Sequence, residues 1–114
     1  MTKEILEGNI LIATYMGAKI VEQYPDAEFG EHPLMGFDIK DPYPDNSRYH
    51  AATTMHYHDD WNWIMPVVKK ISDEIGYNLT TALDLLVGNY CGNWRKNAVI
   101  DVFESVIYHL KKRN

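Results

Sequence analysis

Cysteine is almost missing from this chain: Cys91 is the only one in 114 residues. No internal disulfide can form, which excludes a disulfide-built secreted scaffold and fits a reducing cytoplasm. Long apolar runs are missing too. No stretch is long enough to span a bilayer, so no membrane role is expected. The opening Met-Thr-Lys-Glu-Ile-Leu-Glu-Gly does not read as a signal peptide, because acids break its apolar runs. Positive charge is in deficit: 11 Lys and Arg face 16 Asp and Glu, a net −5 with His neutral. Nonspecific nucleic-acid binding needs a basic surface that releases counterions, so this balance argues against it. Lys111-Lys112-Arg113 is the one evident basic cluster. It reads as the last turn of a helix, where cations offset the carbonyl end of the dipole. No repeat and no phosphate-cradling glycine loop appears, since Gly88-Asn89-Tyr90-Cys91-Gly92 lacks the lysine and the spacing.

What is present is an ordinary globular mix, 46% apolar and 24% charged, in a length that fits one domain, 1–114, with its own core. Residues 3–16 predict a helix: Ile5, Leu6, Ile10, Ile12, Ala13 and Met16 recur at helical steps, Thr2 caps the start and Gly17 ends it. Gly8 is a weak point inside. Lys19–Tyr24 reads as a strand stopped by Pro25 and Asp26. Leu34–Ile39 and Tyr49–Tyr57 read as two more, separated by a Pro-rich loop over 40–48. A second helix begins at Asp59 or Asp60. Trp61, Ile64, Met65, Val68, Ile71 and Ile75 form its stripe and Gly76 its end. Pro66 implies a tightened or bent first turn, or a start nearer Asn62. The segment 79–94 admits strand or helix. The alternation of Leu83, Leu85 and Val87 and the β-formers of 77–81 favour strand. A last helix follows an Asn97 cap, with Val99, Val102, Phe103, Val106, Ile107 and Leu110 on its apolar face. The expected fold is α+β: three amphipathic helices packed on a small antiparallel or mixed sheet.

The residues between 49 and 63 carry the candidate chemistry. His50, His56, His58, Asp59 and Asp60 include imidazoles and carboxylates suited to a divalent metal. On a strand, His56 and His58 share a face, and Asp60 at the next helix start would complete a three-ligand set with an open water position. The blander reading makes Asp60 a helix cap and the histidines surface residues. Trp61 and Trp63, two apart on a helix, cannot share a face. Trp61 belongs to the apolar stripe, so Trp63 points elsewhere: into a second core cluster under the Pro-rich loop, or outward as a contact anchor. With Tyr43, Tyr49 and Tyr57 these tryptophans compose an aromatic set able to seat a partner. Cys91 has no catalytic neighbours and reads as a small buried hydrophobe.

Leu11-Ile12-Ala13-Thr14-Tyr15-Met16-Gly17, then Tyr49-His50, then Asp60-Trp61-Asn62-Trp63-Ile64-Met65-Pro66-Val67-Val68-Lys69-Lys70-Ile71 resembles small proteins of Bacteroidetes and their phages, similar to the phage ABA-sandwich domain family. The closing run Val99–Tyr108 is a weaker match, and the middle loops do not match closely. The resemblance implies layered helices and strands and a mobile-element setting, with no activity to carry over. The expectation is a non-catalytic accessory protein of the bacterial host cytoplasm, of anti-defence kind. It would bind a host protein or sequester a small ligand through Tyr43, Tyr49, Tyr57, Trp61 and Trp63. No cofactor is expected, and a homo-oligomer is left open. The alternatives are a metal-dependent hydrolase using His56, His58 and Asp60, and a virion structural or assembly protein.

Overall fold

The computed structural model describes residues 2–38, 40–91 and 98–113, with 89–91 described by their backbone alone. The architecture is α+β, as expected. The chain divides into two compact units, Met1–His56 and Tyr57–Asn114.

The first unit opens with helix α1 (Lys3–Met16). Thr2 Oγ1 accepts the N–H of Ile5 at 3.2 Å, satisfying one donor of the first turn. At the other end Gly17 takes the left-handed conformation (φ 104°), which costs glycine nothing. The Ala18 N–H then reaches back to Ala13 O at 2.9 Å and closes the helix.

Strands β1 (Lys19–Asp26), β2 (Gly30–Gly36) and β3 (Tyr49–Ala51) make one antiparallel sheet in the order β1-β2-β3. The β1–β2 turn is set by Asp26, whose Oδ1 accepts the N–H groups of Glu28 (2.8 Å) and Phe29 (3.1 Å). The strand limits differ from the sequence reading. β1 runs through Pro25, which an edge strand tolerates because it needs no N–H on its free side. β2 starts four residues earlier than expected, at Gly30, and ends at Gly36. β3 stops at Ala51, where a single 3₁₀ turn (Ala52–Thr54) takes over, so His56 and His58 do not share a strand face. Asn9, fully buried on α1, holds that turn: its Nδ2 donates to Ala52 O (3.3 Å) and Met55 O (3.5 Å).

The second unit holds three helices that pack on one another, α2 (Trp61–Ile75), α3 (Leu79–Cys91) and α4 (Val99–Arg113). Asp60 caps α2, its Oδ1 accepting the Asn62 N–H at 2.8 Å. The first turn is tightened, as Pro66 implied: Trp63 N–H bonds back three residues to Asp60 O at 3.0 Å. Gly76 (φ 80°) ends the helix.

Segment 79–91 is helix, which corrects the strand reading and brings the helix count among the described residues to four. Asn78 Oδ1 accepts the Thr81 N–H at 2.8 Å and starts it. Ala82, Leu86 and Val87 are the buried positions, a helical spacing, while Leu85 is exposed. The local β-propensity of 77–81 gives way to a cap and an apolar stripe. In α4, Val102, Phe103, Val106 and Leu110 are buried, and Lys111, Lys112 and Arg113 occupy its last turn as expected. The Asn97 cap and the 92–94 stretch lie outside the described residues, as does the side chain of Cys91. No described helix is long and apolar enough to cross a membrane.

Candidate functional site

In the first unit the N-terminal half of α1 stands beside the β1–β2 hairpin and leaves a pocket of about 490 Å³. Lys3, Leu6, Glu7 and Ile10 line one side, at the three- and four-residue steps that put them on one helix stripe. The turn and β2 supply the other side through Glu28, Phe29, Glu31, His32 and Pro33. Leu6, Pro33 and His32 are buried and Ile10 and Phe29 half-buried, so the floor is apolar. Lys3, Glu7, Glu28 and Glu31 are exposed. The volume falls within the range of small-molecule sites, and an apolar floor with a few polar groups is their usual composition.

His32 is the unusual member of the wall. It is 1% exposed, and neither ring nitrogen has a hydrogen-bond partner among the described residues. Its Nε2 lies 3.8 Å from Asp26 Oδ2, an ion-pair distance that is too long for a hydrogen bond. The Tyr24 ring covers it at 5.4 Å, tilted by 44°. Asp26 spends its other oxygen on the turn. The N–H groups of Glu28 and Phe29 hold its carboxyl below the ordinary value, with the charge of His32 acting in the same direction. A buried imidazole without partners costs about 1–3 kcal/mol, and most proteins avoid it.

A second polar constellation lies in the same unit and is fully engaged. His50 Nε2 is 2.7 Å from Asp45 Oδ2, and its Nδ1 is 2.7 Å from Thr54 Oγ1, whose hydroxyl donates to Ala51 O at 3.0 Å. Burial opposes ionisation of Asp45, but the Ser47 N–H and the His50 ring outweigh it and lower its pKa. The bonds tie the 40–48 loop to β3 and the 3₁₀ turn. Tyr43 belongs to this brace. It is 1% exposed, its hydroxyl donates to Met35 O at 3.0 Å, and its ring meets Phe37 and His50 edge-on. Burial first, and Asp45 second, push its hydroxyl pKa up.

The aromatic set read from the sequence is therefore divided. Tyr43 and Tyr49 belong to the first unit, and Tyr57, Trp61 and Trp63 to the second. Tyr43, Tyr57 and Trp63 are buried, with Tyr57 and Trp63 packed edge to face at 5.1 Å. Trp63 is thus a core residue, and Trp61, assigned to the apolar stripe by its spacing, is 37% exposed. The buried face of α2 runs through Trp63, Ile64, Val67, Val68, Ile71 and Ser72; it keeps Ile64, Val68 and Ile71 of the expected stripe, while Met65 is half-buried and Trp61 and Ile75 are exposed. Tyr49 is exposed and lies across Gly36, its cross-strand partner, where an added Cβ would meet the ring at 2.7 Å. Arg48 sits 5.2 Å from the centre of that ring.

The residues weighed as metal ligands have other engagements. Asp60 is the α2 cap. His58 is half-buried, 6.0 Å from the Phe103 ring, with Nε2 3.6 Å from Asp59 Oδ2. His56 is exposed at the end of the first unit. Among the described residues, no three His, Cys, Asp or Glu side chains are grouped as a metal ion requires.

No protein family, curated protein or solved structure matches the chain. The pocket residues did not stand out in the sequence. The helical step Lys3-Glu7-Ile10 and the acidic turn 26–31 were visible in it, but nothing there showed that His32 is buried.

Proposed function

We propose that the protein is a non-catalytic binding protein that holds a small ligand in the pocket between α1 and the β1–β2 hairpin. The observation that carries this reading is His32, sealed in the pocket wall with two ring nitrogens left without hydrogen bonds. A fold that keeps such a cost has a use for it, and a ligand that completes the hydrogen bonds would repay it. No hydrolase chemistry supports this site, and His50 is committed to the loop brace. We further propose, from the resemblance to phage ABA-sandwich proteins, an accessory role of phage or prophage kind in a host cytoplasm. Sequestration of a small molecule suits that role.

The test is a fragment screen followed by amide and imidazole NMR. Binding should shift Leu6, Glu7, Ile10, Phe29 and His32 together, and the ligand should be recovered chemically unchanged. A His32→Leu variant should stay folded and bind at least tenfold more weakly, the loss of about one good hydrogen bond. Shifts confined to other surfaces, or full binding by the variant, would reject the site.

A further inference from the structure

We infer that the pocket selects an organic cation, an amine or guanidinium carried on a short apolar body. This rests on the pocket being a binding site and names the chemistry of its ligand.

Charge decides the sign. Glu7, Glu28 and Glu31 stand at the pocket against one cation, Lys3. No ion pair joins any of these four to another described residue, so the carboxylates keep their capacity for a guest. One feature pulls the other way. The pocket borders the first turns of α1, and a helix N-terminus carries about half a positive charge that favours anions. Lys3 adds to it, and part of the backbone contribution is already used by the Thr2 cap. Three carboxylates outweigh an ammonium and half a charge.

The floor decides the body. Leu6, Ile10, Phe29 and Pro33 offer apolar surface with no charged group among them. A flat or short aliphatic body buries against it, while its cation stays at the acidic edge. Carboxylates alone would attract any cation from solution. The apolar floor, with a buried imidazole that makes no hydrogen bond in its wall, distinguishes an amine-bearing organic molecule from a hydrated metal ion. The described residues also lack the three-ligand grouping that a metal needs.

The experiment compares three probes of one shape: phenethylamine, 2-phenylethanol and phenylacetate. Agmatine serves as a guanidinium probe. Amide NMR on the intact protein reads both site and affinity. Phenethylamine and agmatine should shift the pocket residues, 2-phenylethanol should bind at least fivefold more weakly, and phenylacetate should not bind. The Glu7→Gln, Glu31→Gln double variant changes only exposed side chains. It should weaken phenethylamine about fivefold without altering 2-phenylethanol, the scale of two solvent-facing ion pairs. Salt should weaken the amine more in the wild type than in the double variant, which keeps Glu28. If 2-phenylethanol or phenylacetate binds in the pocket as tightly as the amine, the cation assignment fails and the binding reading stands. If none of the four shifts the pocket residues, both fail.

Discussion

The two units of this protein bury polar groups in different ways. In the three-helix unit the fully buried polar side chains are Ser72 and Ser105, and each answers its own helix: Ser72 donates to Lys69 O at 2.7 Å and Ser105 to Asp101 O at 2.6 Å. Around them the core is Ile64, Val67, Val68, Ile71, Val102 and Val106. In the sheet unit the buried polar side chains are Asn9 and His32. Asn9 reaches more than forty residues along the chain for its acceptors and leaves its Oδ1 without one, and His32 leaves both nitrogens so. The helical unit also leaves an oxygen of half-buried Asp101 without a hydrogen bond, but its fully buried polar side chains are all answered, while the sheet unit leaves a fully buried imidazole unanswered in a pocket wall. The fully buried His32 at the pocket wall is why we propose the first unit as the place of ligand binding.

The contrast can be broken most forcefully in the helical unit. Ile64→Ala removes a fully buried side chain from α2. Urea denaturation should show a loss of about 2–5 kcal/mol, the range for such truncations. A loss under about 1 kcal/mol would mean that this core is loosely packed and the contrast overstated.

His32→Leu sharpens it from the other side. Deleting a buried histidine ordinarily destabilises, but here it removes two nitrogens without hydrogen bonds. Stability should hold or rise, by up to about 1 kcal/mol, while ligand binding falls. A substantial loss of stability would show that His32 supports the fold and would weaken its reading as a ligand group.

The smallest effect is electrostatic and distinguishes the units by pH. Burial, helped by the charge of Arg113 and opposed by Glu74, lowers the pKa of His109 on α4 below its ordinary 6.5. A lowered folded value means that the unfolded chain binds the proton more readily. The stability tied to neutral His109 is therefore present above pH 6.5 and is lost as pH falls through the lower folded value. In a His109→Gln variant, the melting temperature should show less decline between pH 7 and pH 5 than the wild type, by about a degree or two. In the sheet unit the carboxyls of Asp26 and Asp45 are lowered from 3.8, so their share persists above that pH and disappears only in stronger acid.

Much of the helical framework was legible because its signals are local. Thr2, Gly17, Asp60 and Gly76 each act within one turn, and the structure uses all four as caps. The stripe of α4 was equally plain. The reading failed where local signals compete. In 79–91, alternating leucines and β-formers looked like a strand, and the cap on Asn78 with burial at Ala82 and Leu86 decided for helix. On α2 the choice between Trp61 and Trp63 turned on the stripe's phase, which a single residue shifts by 100°.

The amino-acid order alone determined the net negative charge, and with it the mixed helix-and-strand class and the caps at Thr2, Gly17, Asp60 and Gly76, since those are set by neighbouring residues. Only the fold in three dimensions decided which tryptophan enters the core, where β3 stops, and that His32 is sealed beside three glutamates. Those outcomes depend on surfaces brought together from distant positions, and burial belongs to such surfaces, not to a residue by itself.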